Sequence, residues 1–212
     1  MIHVEKFAYL DIDDLCANTY VVFDTNKQCV VIDPSANNDG IVKYIEKNEL
    51  NLKAVLLTHG HFDHIRGVDR LCNHFKNAPL YIHFLDEISL IDPHYNGSVF
   101  NGEEFTVEHA PILLNGDETL SLLEDDIKVI HTPFHSKGSV CYYLENNKIL
   151  FSGDTLFKNS IGRDDLPNAD PSKTNGSLKK IKALPPETKI CPGHGNNTVL
   201  DDELHYNYFL TR

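Results

Sequence analysis

Several features of an ordinary secreted, membrane or nucleic-acid-binding protein are missing from this chain. No stretch of its 212 residues is long and apolar enough to span a bilayer. The opening Met1-Ile2-His3-Val4-Glu5-Lys6 lacks the basic start and apolar core of a signal peptide, so a cytoplasmic location is expected. Cysteine is sparse: Cys16, Cys29, Cys72, Cys141 and Cys191 are odd in number and far apart, with no Cys-x-x-Cys pair. That usage argues against a disulfide scaffold and for a reducing compartment. Basic residues are few, with 19 Lys and Arg against 31 Asp and Glu, for a formal net charge of -12. Nucleic acids and anionic membranes are recognised through Lys and Arg, so neither is an expected partner. Internal repeats, low-complexity tracts and linkers are also missing, and the length fits a single domain over residues 1–212.

Histidine, in contrast, is concentrated. Thr58-His59-Gly60-His61-Phe62-Asp63-His64 holds three imidazoles and a carboxylate directly after the apolar run Ala54-Val55-Leu56-Leu57. The run has the composition of a buried strand, which would deliver the histidines to a turn at its C-terminal end. Imidazole and carboxylate bind zinc, iron or manganese, and no thiolate competes for the metal here. A solvated, His-rich turn is the alternative reading, so further donors decide the matter.

Before the cluster, residues 2–8, 19–23 and 29–32 read as strands, with Asp24-Thr25-Asn26-Lys27 as a hairpin turn. Ile41, Val42, Tyr44 and Ile45 recur at helical spacing up to about Asn48. After it, Ile65, Val68, Leu71, Cys72 and Phe75 form one helical face, with His64 at or near the helix start. A strand over 79–82 and a short helix from Phe84 to Ile91 follow. Asp92 to Pro111 has little periodicity and is expected to be a surface loop covering the site. Strands are expected over 118–122, 127–131, 139–144, 148–151 and 189–191, with helices over 178–184 and 199–209. The order suggests an α+β fold in which two sheets pack together with helices outside.

Three of the later strands run into further donors, in Ile130-His131-Thr132-Pro133-Phe134-His135-Ser136, Ser152-Gly153-Asp154-Thr155 and Cys191-Pro192-Gly193-His194-Gly195. Glycines beside the donors suit turns in which backbone passes close to a site. With these motifs in this order, the chain resembles the metallo-β-lactamase superfamily, and within it the glyoxalase II-like hydrolases, over nearly its whole length. The resemblance implies an αββα sandwich of two mixed sheets with a metal site at one edge. It implies that His59, His61 and His135 hold one divalent ion, that Asp63, His64 and His194 hold a second, and that Asp154 bridges them. Zinc is the expected metal, with iron or manganese as alternatives.

Two such ions would share a water, lower its pKa toward ~7 and polarise a carbonyl, giving a metal-bridging hydroxide for attack on a thioester or ester. Asp63 and Asp154 would offset the cationic charge and relay a proton to the leaving group. Arg163 falls where these hydrolases often place a substrate-contacting cation, and a salt bridge to Asp164, Asp165 or Asp170 is its alternative role.

The chain also departs from the family pattern. Phe134 precedes His135 where Gly or Cys is usual, so it either narrows the site or packs in the interior. Because the chain stops soon after His194, no separate C-terminal glutathione-binding domain is expected. The other histidines read as surface or core residues; His131, four residues before His135, either joins the site or is pointed away by strand and turn geometry. Competing activities are a mononuclear iron persulfide dioxygenase, which would use only the first ligand group, and a lactonase, which would differ only in its pocket.

Overall fold

The computed structural model describes residues 1–8 and 16–211. Its first half forms one six-stranded sheet in which spatial order follows sequence order: β1 (His3–Phe7), β2 (Thr19–Phe23), β3 (Gln28–Ile32), β4 (Asn51–Leu56), β5 (Leu80–His83) and β6 (Ile112–Leu114). β1, β2 and β3 pair antiparallel, whereas β3, β4, β5 and β6 pair parallel. The β2–β3 turn is set by Asp24, whose carboxylate accepts from the backbone N–H groups of Asn26 and Gln28 at 2.8 and 3.0 Å.

The second half forms the other sheet: β7 (Thr119–Leu120), β8 (Ile127–His131), β9 (Val140–Leu144), β10 (Ile149–Gly153), β11 (Lys189–Pro192) and β12 (Thr198–Val199). Only its β10–β11 pair is parallel, so both sheets are mixed.

Alternation along the strands creates three apolar layers. Tyr20, Val22, Val30, Ile32 and Leu56 meet Val129, Val140, Tyr142 and Phe151 between the sheets. Their sequence neighbours Val21, Val31 and Val55 face outward onto α1 (Gly40–Lys47) and the pair α2 (Phe62–Ile65) and α3 (Val68–His74). The chain continues through a 3-10 turn over Phe84–Asp86 into α4 (Glu87–Ile91) and α5 (Pro93–Asn96). On the far side Cys141, Tyr143, Leu150 and Ile190 pack under α6 (Thr174–Lys182) and α7 (Leu200–Tyr206). This is the expected αββα sandwich, and each fully buried Leu, Ile or Val in it contributes ~1.5–3 kcal/mol of hydrophobic stabilisation. No helix among the described residues is long and apolar enough to cross a membrane.

Several boundaries differ from the sequence reading, each for a local reason. The helical face from Ile65 to Phe75 is two helices, because the Gly67 N–H turns away to the Pro34 carbonyl at 2.7 Å. His64 therefore lies inside α2, with His61 as its N-cap. The segment 92–111 is not one structureless loop. The Asp92 carboxylate caps α5 by accepting from the His94 N–H at 2.9 Å, Gly97 at φ +81 ends it, and a further 3-10 turn spans Ser98–Asn101. The strand expected over 118–122 shortens to Thr119–Leu120, and the last helix closes at Tyr206.

Candidate metal centre

Side chains at strand C-termini of both sheets meet at one edge of the sandwich. β4 supplies the turn carrying His59 and His61 and runs into α2, which carries Asp63 and His64. The turn after β8 supplies His135, Asp154 directly follows β10, and His194 follows β11. All seven of the expected donors come together, whereas His131 does not join them. Its ring stacks on His83 with centroids 4.0 Å apart, and its Nε2 faces the Lys137 carbonyl.

The seven fall into adjoining groups. His59, His61 and His135 form one triad and Asp63, His64 and His194 another, while Asp154 groups with His59 and His64 between them. His135 Nε2 lies 2.9 Å from His61 Nδ1 and 3.2 Å from His59 Nε2. His194 Nε2 lies 3.0 Å from Asp63 Oδ2, and His64 Nε2 lies 3.6 Å from the same oxygen. The Asp154 carboxylate reaches both sides, with Oδ1 3.3 Å from His64 Nε2 and Oδ2 3.4 and 3.6 Å from His135 and His194 Nε2.

Partners behind the rings fix which nitrogen faces inward. His135 Nδ1 donates to the Arg163 carbonyl at 2.7 Å, which leaves the Nε2 lone pair aimed at the cluster. His64 Nδ1 donates to Asp33 Oδ2 at 2.9 Å. Its Nε2 and Asp154 Oδ1 are buried, and neither has a hydrogen-bond partner. Bare lone pairs crowded this closely repel one another unless a cation sits among them, and ligands on a tetrahedral ion at ~2.0–2.1 Å would themselves lie ~3.4 Å apart. Gly193 leaves room for the arrangement, since a Cβ there would meet Asp154 Oδ1 at 2.2 Å. The residues present therefore fit divalent metal.

Electrostatics differ between the two triads. Burial, reinforced by neighbouring histidines, holds His59 well below the ordinary imidazole value. Burial likewise pushes His61 down to about 3. For His64 burial acts downward as the largest single effect, but Asp63, Asp154 and Asp33 together overcome it and hold the ring well above its ordinary value. His194 is raised in the same way, with burial opposed by Asp154 and Asp63.

Two buried carboxylates essential to this geometry escaped the sequence reading. Asp33, at the end of β3 with φ +50, accepts from the Thr58 N–H at 2.8 Å and the Thr58 hydroxyl at 2.6 Å as well as from His64. It sits at the C-terminal end of the strand beside β4, so the strand-end rule that found the other donors also points to it. Asp86 has no such signal. It accepts from Gly60 N–H at 3.1 Å, the Ser136 hydroxyl at 2.6 Å, Gly138 N–H at 2.7 Å and Asn168 Nδ2 at 2.7 Å, tying together the loops that carry the ligands.

The cluster opens into a cleft of about 960 Å³ walled by Phe62, Tyr95, Phe100 and Phe157. Segment 92–101 thus borders the site. Arg163 also lines the cleft, and its guanidinium forms a bidentate pair with Asp165 at 2.6 and 2.9 Å. Phe134 lies outside the cleft and fully buried, so of its two expected roles the structure shows packing.

An αββα sandwich with clustered histidines and carboxylates at its strand ends defines a class of metal-site proteins. The chain belongs to the metallo-beta-lactamase superfamily, whose family model matches residues 13–194. A probable metallo-hydrolase of Bacillus subtilis, YqgX, is 34% identical over 97% of each chain. A hydroxyacylglutathione hydrolase of Pectobacterium atrosepticum is 32% identical over 84% of this chain and 62% of its own. Among solved structures, the B3 metallo-beta-lactamase BLEG-1 superposes with a TM-score of 0.91 at 36% identity over the whole of both chains. TTHA1623 in a di-iron-bound form gives 0.83 at 35% identity over 94% of this chain and 98% of that one.

Proposed function

We propose that the protein is a binuclear metal-dependent hydrolase of a small thioester or ester, glyoxalase II-like in its chemistry. The observation that carries this reading is the Asp154 carboxylate, which lies within 3.6 Å of His135 in one donor triad and of His64 and His194 in the other. The hydroxyacylglutathione hydrolase relative supports the substrate class, and the di-iron form of TTHA1623 supports two metals.

His59, His61 and His135 would hold one ion, Asp63, His64 and His194 the other, and Asp154 both. When bound, the pair would acidify a water and polarise the substrate carbonyl, which supplies nucleophile and oxyanion stabilisation at neutral pH. Zinc is the metal we assign, with iron or manganese as the alternatives that the same His and carboxylate donors would hold. Asp63 lines the cleft and would carry the proton to the leaving thiol or alcohol. Arg163, beside the same cleft, would exchange Asp165 for a substrate carboxylate. Arg163→Ala is then expected to raise KM for an anionic substrate about tenfold with kcat little changed, as loss of uniform binding requires.

Metal content per chain by elemental analysis, with S-D-lactoylglutathione hydrolysis in the same preparation, tests the proposal. Two metals with turnover support it. Two metals without turnover would redirect the substrate to lactones or other esters. One iron with oxygen uptake on glutathione persulfide would replace it with the dioxygenase reading, for which the His59, His61 and His135 triad is complete by itself.

Acidification should empty the two sites in order. Protons compete with metal for imidazole nitrogen. His64 and His194 hold protons above the ordinary histidine value, whereas His59 and His61 release them below it. Equilibrium dialysis from about pH 8 to about pH 5 should therefore show two metals falling first to one, with the Asp63 triad emptied. Simultaneous loss of both would contradict the asymmetry.

A further inference from the structure

The sandwich is open along one side, where β1 ends the first sheet and β12 the second. A cleft of about 640 Å³ enters there, lined by residues of β1, β11 and β12 and sharing none with the cleft at the metal centre. Strand alternation decides what it contains. On β1, Val4 packs between the sheets and Phe7 packs on the α1 side against Tyr44. Lys6, two residues after Val4, keeps to the face between the sheets, whereas Glu5 takes the opposite face, where its charge acts on Tyr44. On β11, Cys191 packs between the sheets and Ile190 under the helices. Lys189 therefore shares the face of Cys191, in register with Ile149 and Val199. Each sheet thus turns one lysine toward the other, and Lys158, in the loop after β10, is the third cation on the cleft.

The three are unbalanced. None forms an ion pair among the described residues, and Asp202 is the one acid lining the cleft, in a chain whose formal net charge is -12. Lys6 donates instead to the neutral Gly195 carbonyl at 2.6 Å, and burial holds its ammonium below the ordinary value. Burial pushes the Cys191 thiol up to about 12 while Lys6 and Lys189, one from each sheet, both act on it in the other direction. A partly buried cation without a counter-charge costs free energy, and an apolar side chain in either place would extend the core. An inward lysine can serve to deter edge pairing, but that needs one lysine on one strand, not three from separate elements around one cavity.

We propose that this cleft binds a small organic phosphate, its apolar body against Val4, Ile149 and Val199 and its phosphate among Lys6, Lys158 and Lys189. Ammonium groups meet a phosphate dianion as point charges, whereas planar carboxylate recognition draws on the fork of arginine, and the cleft has no arginine. Its volume lies in the range of small-molecule sites. The ligand is a soluble one, since the acidic chain as a whole is repelled by an anionic bilayer.

Calorimetric titration of n-hexyl phosphate into the full-length, metal-loaded protein should show saturable binding that added salt weakens. The double variant Lys158→Gln, Lys189→Gln should weaken it at least about tenfold, the scale of losing charge-assisted hydrogen bonds. Both side chains are exposed, so metal content and melting temperature should stay at wild-type values. The variant also separates this cleft from the metal centre, because phosphate held by the metals would bind it as tightly as the wild type. Methyl phosphate should bind at least about tenfold more weakly than hexyl phosphate, as burial of a few methylenes requires. Absence of saturable binding, undiminished binding by the double variant, or equal binding of methyl phosphate overturns the inference. Equal binding of hexanoate overturns the choice of phosphate. Sedimentation of the wild type, but not of the double variant, with phosphatidate vesicles would overturn it too, by assigning the lysines to a membrane surface.

Discussion

Asp154→Ala is expected to cost both metals at once and to lower kcat/KM on S-D-lactoylglutathione by roughly 10³-fold or more. The figure corresponds to several kcal/mol of charge stabilisation, the scale of a metal's contribution to an acyl-transfer transition state. Asp154 is the one side chain of the seven that comes within 3.6 Å of His64, His135 and His194 alike. Burial acts to raise its carboxyl, but His64 and His194 more than offset that and keep it ionised well below the ordinary carboxylate range. Alanine would remove that charge and leave facing imidazoles from both triads with nothing anionic between them. His194→Ala is the useful contrast, because it touches only one triad and should leave one metal bound. An Asp154→Ala protein that still holds two metals by elemental analysis would refute the bridging role.

The second large effect is on stability. Asp86→Ala should lower the melting midpoint by roughly 10 °C, from a loss of ~3–5 kcal/mol. The carboxylate is fully buried and accepts from four donors. Of these, the Ser136 hydroxyl has a second partner in Ser139 Oγ at 2.7 Å, so the N–H groups of Gly60 and Gly138 and the Asn168 amide bear the loss. A buried donor left without an acceptor costs ~1–3 kcal/mol, and non-additivity keeps the total below the sum. Metal affinity should fall as well, by about 10- to 100-fold, as supporting residues around metal ligands typically require. Calorimetry with and without added metal separates the two effects, and an unchanged melting curve would show that Asp86 is dispensable.

The contrast between Asp154 and Asp86 explains how much was legible beforehand. The seven donors could be read because the His59–His64 run, Asp154 and His194 beside glycines at strand ends, and His135 in the turn after a strand together make up motifs that resemble the family's. The layers could be read from the order of strands and helices, whereas the face each side chain takes, Val21 outward and Tyr20 and Val22 between the sheets, leaves no alternation in this apolar run. Asp86 acquires its role from four partners, three of them fifty or more residues away in the chain. No spacing rule reaches that far. Asp33 lies between these cases: its place after β3 was visible, but its bond to His64 depends on the β3–β4 pairing. Arg163 shows a different limit, since the alternatives of substrate contact and salt bridge both left traces, one in its place on the cleft and one in its pairing with Asp165. Within 92–111 the helix α5 and the 3-10 turn over Ser98–Asn101 went unread because each is only four residues long, too short to leave a period in the sequence.

The two sheets are consecutive halves of the chain, joined through the tight connection Asn115–Glu118. The donors are divided across that seam. His59 and His61 come from the first half and His135 from the second; Asp63 and His64 come from the first and His194 from the second. Each ion seated there would be a clasp between the halves, and its binding free energy would count directly toward holding them together. A molecule still emerging from the ribosome, with its first sheet formed and its second not yet made, would own most of the ligands and no working site. Activity and wholeness would then arrive in the same step.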